Sequence, residues 1–181
     1  MNGKLDRPGG ALHFEVIDAT PPWLGEAPLI VFHHGIGATA DIWAEWLPAL
    51  VDRFRIARFD TLGFGRSAQP GLGYAWSLDG LVEDVLAVAR AAGGGPFHFV
   101  GESLGGTVGL RPASRHPEAL LSLTASNASY RGGSIQGCSG SGASSTCGST
   151  SKKIHSRFIR SPPTKASTCT PTPKVKSLTA I

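Results

Sequence analysis

Gly101-Glu102-Ser103-Leu104-Gly105-Gly106 follows directly on the apolar run Phe97-His98-Phe99-Val100. A G-x-S-x-G sequence is common by chance, but placed after a strand and before a helix it reads as a nucleophile elbow. Such a turn forces the serine into a strained backbone conformation, and side chains two residues before and after it would collide. Gly101 and Gly105 remove that collision. The turn presents the Ser103 hydroxyl at the C-terminal edge of a sheet, where the N-terminus of the next helix stabilises developing negative charge. The spacing differs from the G-x-G-x-x-G fingerprint, which argues against a dinucleotide site.

Working outward, strands and helices alternate. Ala11 to Ile17 alternates apolar and polar residues, as a strand exposed on one face does. Leu29-Ile30-Val31-Phe32 is a short continuous apolar run, the pattern of a strand buried on both faces of a parallel sheet. Ile42, Trp43, Trp46, Leu47 and Leu50 give Asp41–Leu50 a helical spacing. Arg55–Phe59 reads as a strand ending at Asp60, Leu78–Ala92 as a helix stopped by Gly93-Gly94-Gly95, and Leu120–Ala125 as the strand after a helix beginning near Leu104. This order implies a mainly parallel α/β sheet covered on both faces. Arg111-Pro112 falls inside the expected helix, where proline removes a hydrogen bond and costs about 3 kcal/mol.

Two further stretches sit at strand ends. His33-His34-Gly35-Ile36-Gly37 follows the run 29–32, and a loop there aims a backbone N–H at the point that the Leu104 amide also faces. Two such donors make the oxyanion hole that acyl transfer needs. Asp60-Thr61-Leu62-Gly63-Phe64-Gly65-Arg66-Ser67 is a Gly-rich turn in which Asp60 is expected to order the turn rather than act in catalysis. His33 and His34 are expected to anchor the oxyanion loop, His98 to be structural, and His116 to mark a helix C-terminus.

The HG loop, the D-x-x-G-x-G-x-S turn and the G-x-S-x-G elbow, in this order and spacing, resemble the α/β-hydrolase superfamily over about residues 11–130. The resemblance implies an α/β-hydrolase fold with Ser103 as nucleophile and the amides of Ile36 and Leu104 as oxyanion hole. His34, Gly35, Gly101 and Gly105 are the supporting motif. The flavour is most similar to bacterial enol-lactonases, esterases and C–C hydrolases. A small ester, lactone or activated C–C bond is the implied substrate, with no cofactor and no metal.

Composition changes sharply along the chain. Residues 1–118 carry nine Lys/Arg and thirteen Asp/Glu, whereas residues 119–181 carry eight Lys/Arg and no acidic residue. Residues 131–181 hold eighteen Ser/Thr and only seven of Leu, Ile, Val and Phe among 51 positions, too few to offset chain entropy. The expected organisation is therefore 1–130, the N-terminal half of a hydrolase domain, and 131–181, a basic disordered tail. Its abrupt start near Ile135–Gly137 and its Ser/Thr/Gly/Pro/Arg/Cys bias fit a frameshift near Gln136.

In this fold the triad acid and histidine follow the serine. No acid follows Glu118, and His155 sits in a Ser-rich basic stretch, so neither partner is identifiable and the sheet is expected to be incomplete. Weak activity, or a non-catalytic remnant with at most a binding role, is the consequence expected of that gap. A nucleic-acid or membrane arm built on Lys152, Lys153, Arg157, Arg160, Lys165, Lys174 and Lys176 is disfavoured, having no aromatic interleaving beyond Phe158. A zinc site of Cys138, Cys147, His155 and Cys169 is disfavoured, having no C-x-x-C pair. No segment reaches the ~18–20 apolar residues of a membrane span, and Met1–Gly10 lacks the apolar run of a secretory signal, so a cytoplasmic location is expected.

Overall fold

The apolar run of residues 29–32 becomes the strand β3 (Leu29–His33), in which all five residues are buried. It lies mid-sheet, paired in parallel with β4 (Arg55–Phe59) on one side and β5 (Phe97–Glu102) on the other. The computed structural model describes residues 1–129 and 178–180. Beyond β4 come β2 (Gly10–Ile17) and β1 (Asn2–Arg7), both antiparallel to their neighbours, and beyond β5 comes β6 (Leu120–Ser126), parallel to it. With β7 (Leu178–Ala180) the order is β1-β2-β4-β3-β5-β6-β7. The sheet is mainly parallel, as the alternation of elements requires.

Helix α1 (Leu78–Ala91) buries Leu81, Val82, Val85, Val88 and Ala89, one helical face, after an N-cap at Ser77 whose hydroxyl accepts from the Gly80 amide. Helix α2 (Leu104–Arg115) packs on β5 and β6, where Gly109 lets it approach the Phe99 and Leu123 side chains. The larger core cluster joins Leu12, Phe14, Phe59, Val85, Phe99 and Leu123; a smaller one joins Ile30, Phe32, Trp43 and Ile56. Arg7 Nε donates to Asp84 Oδ1 at 2.6 Å, fixing β1 to α1; burial raises the Asp84 pKa against the opposing pull of Arg7.

Four features correct the sequence reading or add to it. Residues 2–7 form a strand: their polar side chains give little apolar alternation, and pairing with β2 supplies the order. The helical segment 40–49 is a 3₁₀ helix, with Pro48 inside it. Helix α2 runs through Pro112, which is buried, because the packing of the whole helix on β5 and β6 holds it together despite the hydrogen bond lost at the proline. Residues 178–180, assigned to a disordered tail, pair with Leu123, Thr124 and Ala125 of β6 and cover groups that an edge strand otherwise leaves unpaired. The proposed frameshift near Gln136 and the rest of the tail lie outside the described residues.

Replacing Pro112 by Ala restores an amide that can bond the Val108 carbonyl. The expected gain is about 1–3 kcal/mol in urea unfolding. An unchanged or lower midpoint would mean that the proline ring's packing is worth more than the bond.

Candidate active site

The turn between β5 and α2 places Ser103 at φ 52°, ψ −112°. Asn127 is the other non-glycine residue at positive φ among the described residues. Such a conformation costs of order 1–3 kcal/mol and persists only where its surroundings enforce it. Here the Ser103 amide donates to the Ser126 carbonyl at 2.8 Å, and the Ser103 carbonyl accepts from the Thr107 amide at 3.0 Å and its hydroxyl at 3.2 Å. The two flanking glycines leave no space for a side chain. A Cβ on Gly101 would strike the backbone of Gly105, and one on Gly105 would strike the carbonyl of His33. The collision expected between the two sites is thus extended by a third backbone, that of β3.

The loop after β3 touches the elbow at Gly35, where a Cβ would lie 3.0 Å from Ser103 Cβ and against the Glu102 carboxylate. Ile36 follows with its side chain 73% exposed, and Gly37 takes φ 78°. Leu104 is the first residue of α2. Among the described residues neither the Ile36 nor the Leu104 amide donates a hydrogen bond. Both histidines before the loop are buried. His33 Nδ1 and His34 Nδ1 lie 2.8 and 2.7 Å from the carbonyls of His34 and Gly35, and His34 Nε2 accepts from the Thr61 amide at 3.0 Å. These contacts put the His34 proton on Nδ1. Burial lowers the His33 pKa to about 4, against the opposing effect of its bond to the His34 carbonyl, and among the described residues its Nε2 has no hydrogen-bond partner.

Asp60, directly after β4, is fully buried. Its Oδ1 accepts from the Ala40 amide at 2.7 Å; its Oδ2 accepts from the Arg66 amide at 2.9 Å and from Arg66 Nε at 3.1 Å. Burial alone would raise its pKa, but these donors together hold it below the ordinary carboxylate value. Asp60 does order its own turn, since Ser67 Oγ donates to its carbonyl at 2.5 Å. The bond to Ala40, twenty residues upstream, had no sequence signal. His98 pairs with Ser122 Oγ at 2.7 Å, and the His116 amide closes the C-terminus of α2 on the Pro112 carbonyl at 2.8 Å, matching the roles read from sequence.

Ser103 and Gly35 therefore meet at the C-terminal ends of β3 and β5, with Leu104 and Ile36 the residues that follow them in the chain. Among the described residues no histidine ring or carboxylate hydrogen-bonds the Ser103 hydroxyl. Cys138, Cys147, His155, Cys169 and the basic residues of the tail lie outside the described residues. No group of three metal-ligating side chains occurs among the described residues, and no helix there is long and apolar enough to cross a membrane.

A profile of the alpha/beta hydrolase fold family matches residues 28–141, well over half of the chain. The chain belongs to the alpha/beta hydrolase fold family. The chain is 36% identical over 119 residues to a RutD protein of Agrobacterium fabrum, named for putative carbamate hydrolysis, covering 65% of this chain and 43% of that protein. It is 44% identical over 101 residues to a pimeloyl-[acyl-carrier protein] methyl ester esterase of Methylococcus capsulatus, covering 55% of this chain and 37% of that one. The enol-lactonase of Burkholderia xenovorans superposes with a TM-score of 0.62 at 28% identity, over 70% of this chain and 46% of the lactonase. The chain spans less than half the length of these curated relatives.

Two measurements check the site's physics. Gly105→Ala is expected to cost about 1–3 kcal/mol by urea unfolding, because its methyl group meets backbone that cannot step aside; a wild-type midpoint would contradict the packing. His33 titrates near 4 rather than 6.5. Between those values the unfolded chain binds the proton and the folded chain does not. Stability is thus full above about pH 6.5 and falls toward pH 4, by about 1.4 kcal/mol per unit. An NMR titration of the His33 ring with a midpoint near 6.5 would refute this.

Proposed function

We propose that Ser103 is the nucleophile of an acyl-transfer site and that the amides of Ile36 and Leu104 form its oxyanion hole. The observation that carries the proposal is the strained Ser103 turn, at φ 52°, seated against Gly35 of the neighbouring loop. In the proposed step Ser103 Oγ bonds to the carbonyl carbon of a small ester or lactone while its proton leaves to a base. The carbonyl oxygen takes up negative charge within reach of the two amides, and collapse expels the alcohol to leave an acyl-serine. Water then releases the acid. An activated C–C bond adjoining a carbonyl is a further substrate of the same type. The step uses only the hydroxyl, a proton acceptor and the amides, and its setting is the cytoplasm. The names of the relatives, an ester esterase and an enol-lactonase among them, support this substrate class.

The sequence has no acidic residue after Glu118, so the proposal includes a slow reaction in this chain: an unactivated serine with its oxyanion hole retains only part of the catalysis. The same gap favours a second reading, a remnant that binds without turnover. Intact-mass spectrometry after incubation with p-nitrophenyl acetate is the test. One acetyl group on Ser103, formed over hours and missing from Ser103→Ala, is the expected result. Equal labelling of the Ser103→Ala variant, at lysines, would sink the nucleophile assignment.

A further inference from the structure

The loop that carries Ile36 has little to hold its own shape. Between His34 and Ala40 it contains Gly35 and Gly37, the latter at φ 78°, and its one internal backbone bond is a 3.3 Å contact from the Ala38 amide to the Gly35 carbonyl. Both of its ends, however, are gripped from outside by two consecutive residues of one turn. Thr61 donates its amide to His34 Nε2 at 3.0 Å, and Asp60 Oδ1 accepts the Ala40 amide at 2.7 Å. All four of these residues are buried, so water does not compete for either bond. Arg66 adds a second strap, bonding Asp60 through Nε at 3.1 Å and Asp41, the residue after Ala40, through its terminal nitrogen at 3.0 Å.

We infer that Asp60 is a positioning residue of the oxyanion hole: with Thr61 it clamps the loop 34–40 at both ends and thereby sets the direction of the Ile36 amide. The inference rests on the assignment of Ile36 as an oxyanion donor, and it gives the D-x-x-G-x-G-x-S turn a task at the neighbouring loop as well as within itself. The clamp needs an acceptor at Oδ1 rather than a charge. Asparagine keeps an oxygen to accept from Ala40 but turns its NH2 toward Arg66, so it preserves the bond to Ala40 while giving up the Arg66 strap, whereas alanine removes both.

Amide NMR of the ¹⁵N-labelled full chain tests the clamp. In the wild type the Ala40 and Thr61 amides are expected to exchange at least 100-fold more slowly than free amides. In Asp60→Ala the Ala40 protection is lost and the Ile36 resonance moves, while Val31 and Phe99 in the core strands stay protected. Asp60→Asn returns Ile36 to its wild-type position. The labelling rate of Ser103 by a fluorophosphonate falls at least tenfold in Asp60→Ala and recovers in Asp60→Asn. Free exchange of Ala40 in the wild type, or an unmoved Ile36 resonance once Ala40 protection is lost, overturns the inference. Should the core amides of Asp60→Ala lose protection, Asp60→Asn decides alone: an unmoved Ile36 supports the clamp, and a displaced Ile36 with Ala40 still protected overturns it. A wild-type Ser103 that does not label counts against the nucleophile, while the amide readout still judges the clamp.

Discussion

Everything at the candidate site depends on one steric constraint, the absence of room for a Cβ where β5 turns into α2. Gly101 lies against the backbone of Gly105, and Gly105 against the carbonyl of His33. Three backbones, those of β3, β5 and the first turn of α2, meet there at a separation only glycine permits. That contact leaves Ser103 no relaxed conformation. It also draws the end of β3, and so the loop that follows, up to the serine. The strain at Ser103 and the closeness of Gly35 are two results of one packing event.

The hydrogen bonds around this contact join elements distant in sequence. The Ser103 amide reaches Ser126 at the end of β6, His34 reaches Thr61, and Asp60 reaches Ala40. Each lies at the same end of the parallel strands, where successive crossovers bring loops together. Buried, uncompeted bonds of this kind fix geometry well and cost heavily when broken, since the orphaned partner keeps its desolvation penalty. Stability and site geometry are therefore coupled through the same residues.

The parts legible in the sequence are those governed by short-range rules. The apolar run of residues 29–32 reads as doubly buried because nothing polar interrupts it until His33, and α1 shows its face in the spacing of Leu81, Val82, Val85 and Ala89. The elbow was legible because its glycines are needed locally. What sequence hid was tertiary. Strand β1 exists because β2 offers an edge, residues 178–180 because β6 offers another, and Pro112 stays helical because α2 is held on β5 and β6. The sequence around Asp60 signals only a local turn; its reach to Ala40 depends on β3 and β4 being neighbours, which no local pattern states.

The central claim is that this geometry presents two amides to one oxygen on Ser103. The most direct measurement is a crystal structure of the chain after Ser103 has been phosphonylated by an alkyl fluorophosphonate. The account predicts the phosphoryl oxygen at about 2.7–3.1 Å from both the Ile36 and the Leu104 nitrogens. A phosphoryl oxygen turned to solvent, with the two amides unengaged, would contradict it.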